Sequence, residues 1–266
     1  MNHRTLLPLL LALALLPTCQ SSSSSGGDGD TDTGSDSDSD TDTDVDTDSD
    51  TDTDSDCWQG NLSLNDAEDV ALFEPYPCID GDLSVSLVDL TTLSLPNLGQ
   101  VHGDLTFSNS DALDEIHLDA LISVTGFIEI NSNDSLVSLA GLENIAEAQS
   151  LFVWMNPSLT SLEGLGGLTH VDDLYVGNND SLANLGGLTN VSTVDGVFEV
   201  YDNIALTSVD MLSLTSVGGY VSVYFNPVLP GCEVCVLLGQ LVQSPEVVSC
   251  FDNLDDACTP VPDYCP

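Results

Sequence analysis

The chain has 266 residues, with 44 Asp or Glu against a single Lys or Arg and a formal net charge of −43 at pH 7. That balance repels phosphate backbones and anionic surfaces, so nucleic-acid binding and direct adhesion to headgroups are excluded. It also removes the basic side chains that usually clamp phosphates and oxyanions in enzymes. Length and an apolar content of 42% leave room for one domain with a real core.

Residues 1–18 combine a basic start at Arg4 with an apolar run from Leu6 to Leu16, the pattern of a signal peptide too short to span a bilayer. Leu16-Pro17-Thr18-Cys19 resembles a bacterial lipobox, which implies lipidation of Cys19. With Gln20 next, the resemblance implies an outer-membrane or cell-surface lipoprotein whose only membrane contact is its anchor. After Cys19 and Gln20, residues 21–56 are Ser, Thr, Gly and Asp with Val45 as the one large apolar residue, so 19–56 reads as a disordered, self-repelling tether. The tether lacks a calcium loop, and diffuse divalent-cation binding is all that its charge implies. Residues 57–81 read as an N-terminal cap, with a short helix starting from Asn65 as its capping residue.

Residues 82–230 repeat one short unit. An apolar-x-apolar pair opens each copy: Leu83/Val85, Leu105/Phe107, Ile128/Ile130, Leu151/Val153, Leu174/Val176, Phe198/Val200 and Val221/Val223. In the last five copies an asparagine follows three residues later: Asn133, Asn156, Asn179, Asn203 and Asn226. A period of ~23 residues over about seven copies signals a solenoid, in which one coil cannot bury its apolar side until another covers it. The asparagines are expected to stack as a hydrogen-bonded ladder rather than serve only as turn formers. Apolar residues then recur every third position (Leu159, Leu162, Leu165, Leu168, Val171), which is not helical spacing, so little helix is expected within the coils.

The repeat, legible as GFIEINSNDSLVSL from Gly126, resembles the receptor L domain, a leucine-rich right-handed parallel β-helix of receptor ectodomains and microbial surface proteins. The resemblance implies a mostly β fold with disulfide-bonded caps and a Cys57–Cys78 bridge in the first of them. It implies no particular ligand. Residues 231–266 read as a second cap, with a short helix over 237–242 and five cysteines, Cys232, Cys235, Cys250, Cys258 and Cys265. In an exported chain disulfides, expected at Cys232, Cys235, Cys250 and Cys258, are favoured over a zinc or redox site; five cysteines cannot all pair internally, and the connectivity and the one left out stay open.

No cofactor or metal centre is expected. His102, His117 and His170 fall on different coils at different positions, and acidic pairs such as Asp172-Asp173 read as solvated turns. The outward strand positions, polar in early copies, become aromatic later. Trp154, Tyr175, Tyr201 and Tyr224 are expected as one ladder of rings, with Phe152 widening one end and Glu199 beside it. Such a face suits a surface protein or a glycan. The functional expectation is therefore a non-enzymatic, lipid-anchored binding module. A structural envelope protein and a polysaccharide hydrolase are the alternatives; Glu129 and Glu199, three coils apart, are too distant for a glycosidase pair.

Overall fold

The computed structural model describes residues 57–242, 245 and 247–254. The expected signal, lipidation and tether segments, together with Cys258 and Cys265, lie outside the described residues. The described chain is mostly β, and its strands pair in parallel with partners 21 to 27 residues apart.

The principal sheet has nine strands among the described residues. They are β1 (Leu62–Leu64), β2 (Leu83–Val85), β3 (Leu105–Ser108), β4 (Ile128–Asn131), β5 (Leu151–Trp154), β6 (Leu174–Gly177), β7 (Phe198–Tyr201), β8 (Tyr220–Tyr224) and β9 (Val247–Phe251). Each pairs with the next in chain order. Residue alternation sends one set of side chains inward. The inner columns run Leu83–Leu105–Ile128–Leu151–Leu174–Phe198–Val221 and Val85–Phe107–Ile130–Val153–Val176–Val200–Val223. All fourteen side chains are fully buried.

The sheet is two strands longer than the seven copies, because both expected caps contribute a strand. Leu62 and Leu64 pair with Leu83 and Val85 at one end. Val248 and Cys250 pair with Val221 and Val223 at the other. Cys250 stands where the other copies have Leu, Val, Ile or Phe.

Three shorter parallel sheets repeat the arrangement on other sides of the layers. Trp58–Gln59, Cys78–Asp80, Gln100–Val101 and Ser123–Val124 form one. His170–Val171, Thr193–Val194 and Ser216–Val217 form another. Thr92–Ser94 and Glu115–His117 form the third. The every-third leucines, Leu159 through Val171, are fully buried between them. Helix within the layers is confined to two 3-10 turns, Glu163–Leu165 and Gly186–Leu188. Stacked parallel layers sharing one core are compatible with a β-helix.

The asparagines do form a ladder, and all five are fully buried. Asn179 shows the pattern. Its Oδ1 accepts the backbone N–H of Asn156 in the preceding layer at 3.2 Å, and its Nδ2 donates to the Val153 carbonyl at 3.0 Å. The same bonds recur at Asn133, Asn156, Asn203 and Asn226. The ladder is longer than the sequence reading expected. Ser110 takes the position at one end, its Oγ accepting from Leu87 N–H at 2.8 Å. Asn253 takes it at the other, accepting from Asn226 N–H at 3.2 Å.

To bring each amide inward, the residue before it turns left-handed: Ser132, Met155, Asn178, Asp202, Phe225 and Asp252 all have φ between 52° and 58°. That region is costly for a side chain other than Asn, Asp or Gly.

A second column of side chains lies before the strands, and it corrects the reading of Asp173 as a solvated turn residue. Asp173 Oδ1 accepts the Val197 N–H at 2.7 Å. Asp82 and Asp104 do the same for Asp104 and Phe127, both at 3.0 Å. Part of the acidity is thus structural, since these carboxylates replace backbone acceptors between layers.

The ends are closed by helices. In α1 (Ala67–Phe73) the capping residue is Asp66 rather than Asn65, accepting from Glu68 and Asp69 N–H at 2.8 and 3.1 Å. Asn65 N–H instead donates to Asp69 Oδ2 at 2.8 Å, one residue before the N-cap N–H that a capping box would use. The Cys57–Cys78 disulfide is present beside it. At the other end α2 spans Gly231–Gln240, starting earlier than the expected 237–242. Pro230 precedes it, and Val234, Leu237 and Leu238 bury one helical face. Gln240 Nε2 ties it down by donating to the Met211 and Leu214 carbonyls at 2.6 and 3.0 Å. Cys232 is disulfide-bonded, Cys235 is buried and Cys250 half-buried.

Candidate functional site

The outward columns of the principal sheet decide where the aromatic residues meet. One column runs Thr106–Glu129–Phe152–Tyr175–Glu199–Ser222. The other runs Ser108–Asn131–Trp154–Gly177–Tyr201–Tyr224–Phe251. The expected single ladder is therefore not formed. Tyr175 lies in the first column and Trp154, Tyr201 and Tyr224 in the second, because Tyr175 is 21 rather than 23 residues beyond Trp154 and alternation puts it one place over.

The rings gather in two groups. Phe152 stacks on Tyr175 with centroids 5.2 Å apart, and Phe127 meets Phe152 edge-on at 5.8 Å. In the second group Tyr201 stacks on Tyr224 at 5.6 Å and Tyr224 on Phe251 at 5.1 Å, with Phe225 edge-on to both Tyr224 and Phe251. Between the groups, Gly177 lies under the Tyr201 ring, and a Cβ there would come within 2.3 Å of it.

The predicted site residues are half-buried rather than open. Trp154 Nε1 donates to Glu129 Oε1 at 3.1 Å, and the Tyr224 hydroxyl donates to Glu199 Oε1 at 2.7 Å. Both bonds cross between the columns, so the two carboxylates are drawn into the sheet surface three strands apart. The open part of the face lies where the sequence reading placed nothing. Phe225 is 42% exposed and Phe251 46% exposed. The signal for both was available: Phe225 immediately precedes the ladder Asn226, and Phe251 continues the outward alternation of β9.

Tyr175, Tyr201 and Tyr224 are all held above the ordinary tyrosine value of 10.0, chiefly by burial. The negative charge of Glu199 adds to this in each case. A raised folded-state pKa stabilises the fold fully below about 10 and is lost as pH climbs through the folded values. Phenolate absorbance should therefore lag for these three rings until the protein unfolds, and melting temperature should fall steadily above about pH 10. Glu199→Gln should shift the Tyr224 ionisation back toward the ordinary value. Spectrophotometric titration with parallel melts checks both.

Among the described residues no helix is long and apolar enough to cross a membrane. Comparison with protein-family models, curated proteins and solved structures finds no match to this chain.

Proposed function

We propose that the chain is a non-enzymatic binding module, a right-handed parallel β-helix of the receptor L domain type held at the cell surface through a lipidated Cys19. It takes a protein partner on the ring cluster Tyr224–Phe225–Phe251. The observation that carries this reading is Phe225. The fold places a left-handed residue before every ladder amide, and at this layer that residue is a phenylalanine with φ 56° and 42% exposure. A large ring in that conformation costs stability, and its exposure returns little burial, so its presence fits recognition better than folding. Phe251 and Tyr224 support it from the neighbouring strands, making a rigid aromatic anchor of the kind that dominates interfaces. The surrounding acidity favours a partner whose rim is basic.

Full-length protein should be screened against arrays of surface proteins and of glycans, and the tightest interaction re-measured with Phe225→Asn. Asparagine tolerates the left-handed region, so the variant should melt at the same temperature or higher. Binding should weaken by at least about 30-fold, as loss of an interface hot spot does. A sharp drop in melting temperature with unchanged binding would make the rings a stabilising device. Capture of glycans alone would move the partner to another class.

A further inference from the structure

We infer that His170, Asp172 and Asp195 form a binding site for a divalent transition ion of the Zn2+ class. The site lies on the three-stranded sheet, away from the ring cluster, and does not rest on the binding role proposed above. His170 opens the strand His170–Val171, and Asp172 follows two residues later, on the same side of the extended chain. Asp195 comes from the next layer, whose strand registers Thr193 against His170 and Val194 against Val171.

The geometry converges on one nitrogen. Asp172 Oδ1 and Asp195 Oδ2 each lie 3.6 Å from His170 Nε2, and the three donor atoms are all within 4.8 Å of one another. A separation of 3.6 Å is too long for a hydrogen bond. It is close to the spacing of ligand atoms around a tetrahedral ion, about 3.4 Å for bonds of about 2.1 Å. The other ring nitrogen, Nδ1, is engaged by Thr193 Oγ1 at 2.5 Å. An N–H donated there leaves the Nε2 lone pair turned toward the carboxylates, and metal-ligating imidazoles are commonly oriented in this way through their second nitrogen. The residue one repeat beyond Asp195 is Gly218, so no further side chain crowds the carboxylates from that layer. On the side of the preceding layers His170 also borders an open hollow of about 480 Å³, lined in addition by Glu147, Gln149 and Thr169.

The remaining described histidines differ. His102 spends both nitrogens, on Asp80 at 2.5 Å and Gln100 at 3.2 Å. The neighbouring Cys57 sulfur, which could complete a three-ligand set there, is held in a disulfide. His117 has a single carboxylate nearby, Glu115 at 3.5 Å. The cation class follows from the donors. One imidazole favours zinc, nickel or copper over calcium and magnesium, whose preference is for oxygen alone. No Lys or Arg occurs among the described residues to neutralise the two facing carboxylates, which leaves that role to an ion.

The test is calorimetric titration of chelator-treated full-length protein with Zn2+ in a large excess of Mg2+, which occupies diffuse acidic sites. One saturable Zn2+ per chain is expected. His170→Ala and Asp195→Asn should each weaken it at least about tenfold, whereas His117→Ala should leave it unchanged. Because all three side chains are on the surface, melting without metal should be the same for every variant, and added Zn2+ should raise it only where His170 and Asp195 remain. In a parallel titration, Co2+ should give visible bands without an intense near-ultraviolet thiolate band. Diffuse uptake without saturation overturns the site, as do equal losses for His117→Ala and His170→Ala or a thiolate band.

Discussion

Asn179→Ala should lower stability by about 3 kcal/mol, with no compensating relaxation. The amide is fully buried and works in both directions. Its oxygen accepts the Asn156 backbone N–H at 3.2 Å, and its nitrogen donates to the Val153 carbonyl at 3.0 Å and the Asn203 oxygen at 3.3 Å. Alanine leaves the Asn156 N–H in the core without its partner and takes one donor from the Val153 carbonyl, and an orphaned buried group alone costs about 1–3 kcal/mol. Water cannot replace the amide without opening the stack. Asn179→Asp should be damaging too, because a carboxylate cannot donate to Val153. The exposed Asn65, whose amide bonds Asp69 Oδ2 at 3.2 Å, should lose well under about 1 kcal/mol when changed to alanine. Denaturant melts of the three variants check the set. Equal effects at Asn179 and Asn65 would show that the column contributes nothing beyond turn preference.

Gly187→Ala should be at least as harmful, for a steric reason. The equivalent glycines of three layers, Gly141, Gly164 and Gly187, stand over the backbone of the layer before. A Cβ on Gly187 would lie 1.9 Å from the Leu162 oxygen and 2.0 Å from its carbon, and on Gly164 1.7 Å from the Leu139 oxygen. These are main-chain carbonyls already held by the Leu165 and Leu142 N–H groups, so the methyl group must push the layers apart. The expected loss is about 3 kcal/mol or more, at the upper end for overpacking. Gly166 is the internal control. Its nearest neighbour beyond the adjoining residues is 3.3 Å away, and its φ of −65° and ψ of −10° suit any residue. Gly166→Ala should be neutral or stabilise by up to about 1 kcal/mol through the unfolded chain. Similar losses at both positions would mean that the layers are spaced by something other than this column.

Local pattern alone determined the repeat, the inward columns and the buried amide at the end of each strand. Alternation and a fixed spacing between Val153 and Asn156, or Val176 and Asn179, are read within one copy and need no knowledge of neighbours. The same spacing was present in Val248-x-Cys250-x-x-Asn253 and in Phe107-x-x-Ser110, where a cysteine and a serine disguised it. The division of the aromatic residues was also latent in the numbering, since Trp154 and Gly177 are one period apart and Trp154 and Tyr175 are not. What only the tertiary structure decided is what depends on layer upon layer. Which rings stack, which glycine meets a carbonyl, which Asp accepts from the following layer and which carboxylates converge on His170 all involve residues about 23 positions apart. Layers of unequal length, 21 residues from Leu62 to Leu83 and 27 from Val221 to Val248, shift these pairings from place to place. Hydrogen-bond register between strands, set by the whole stack, fixes them. The left-handed Phe225 belongs there too: its conformation is imposed by the buried Asn226 beside it and by the strand on either side, and nothing in a phenylalanine predicts it.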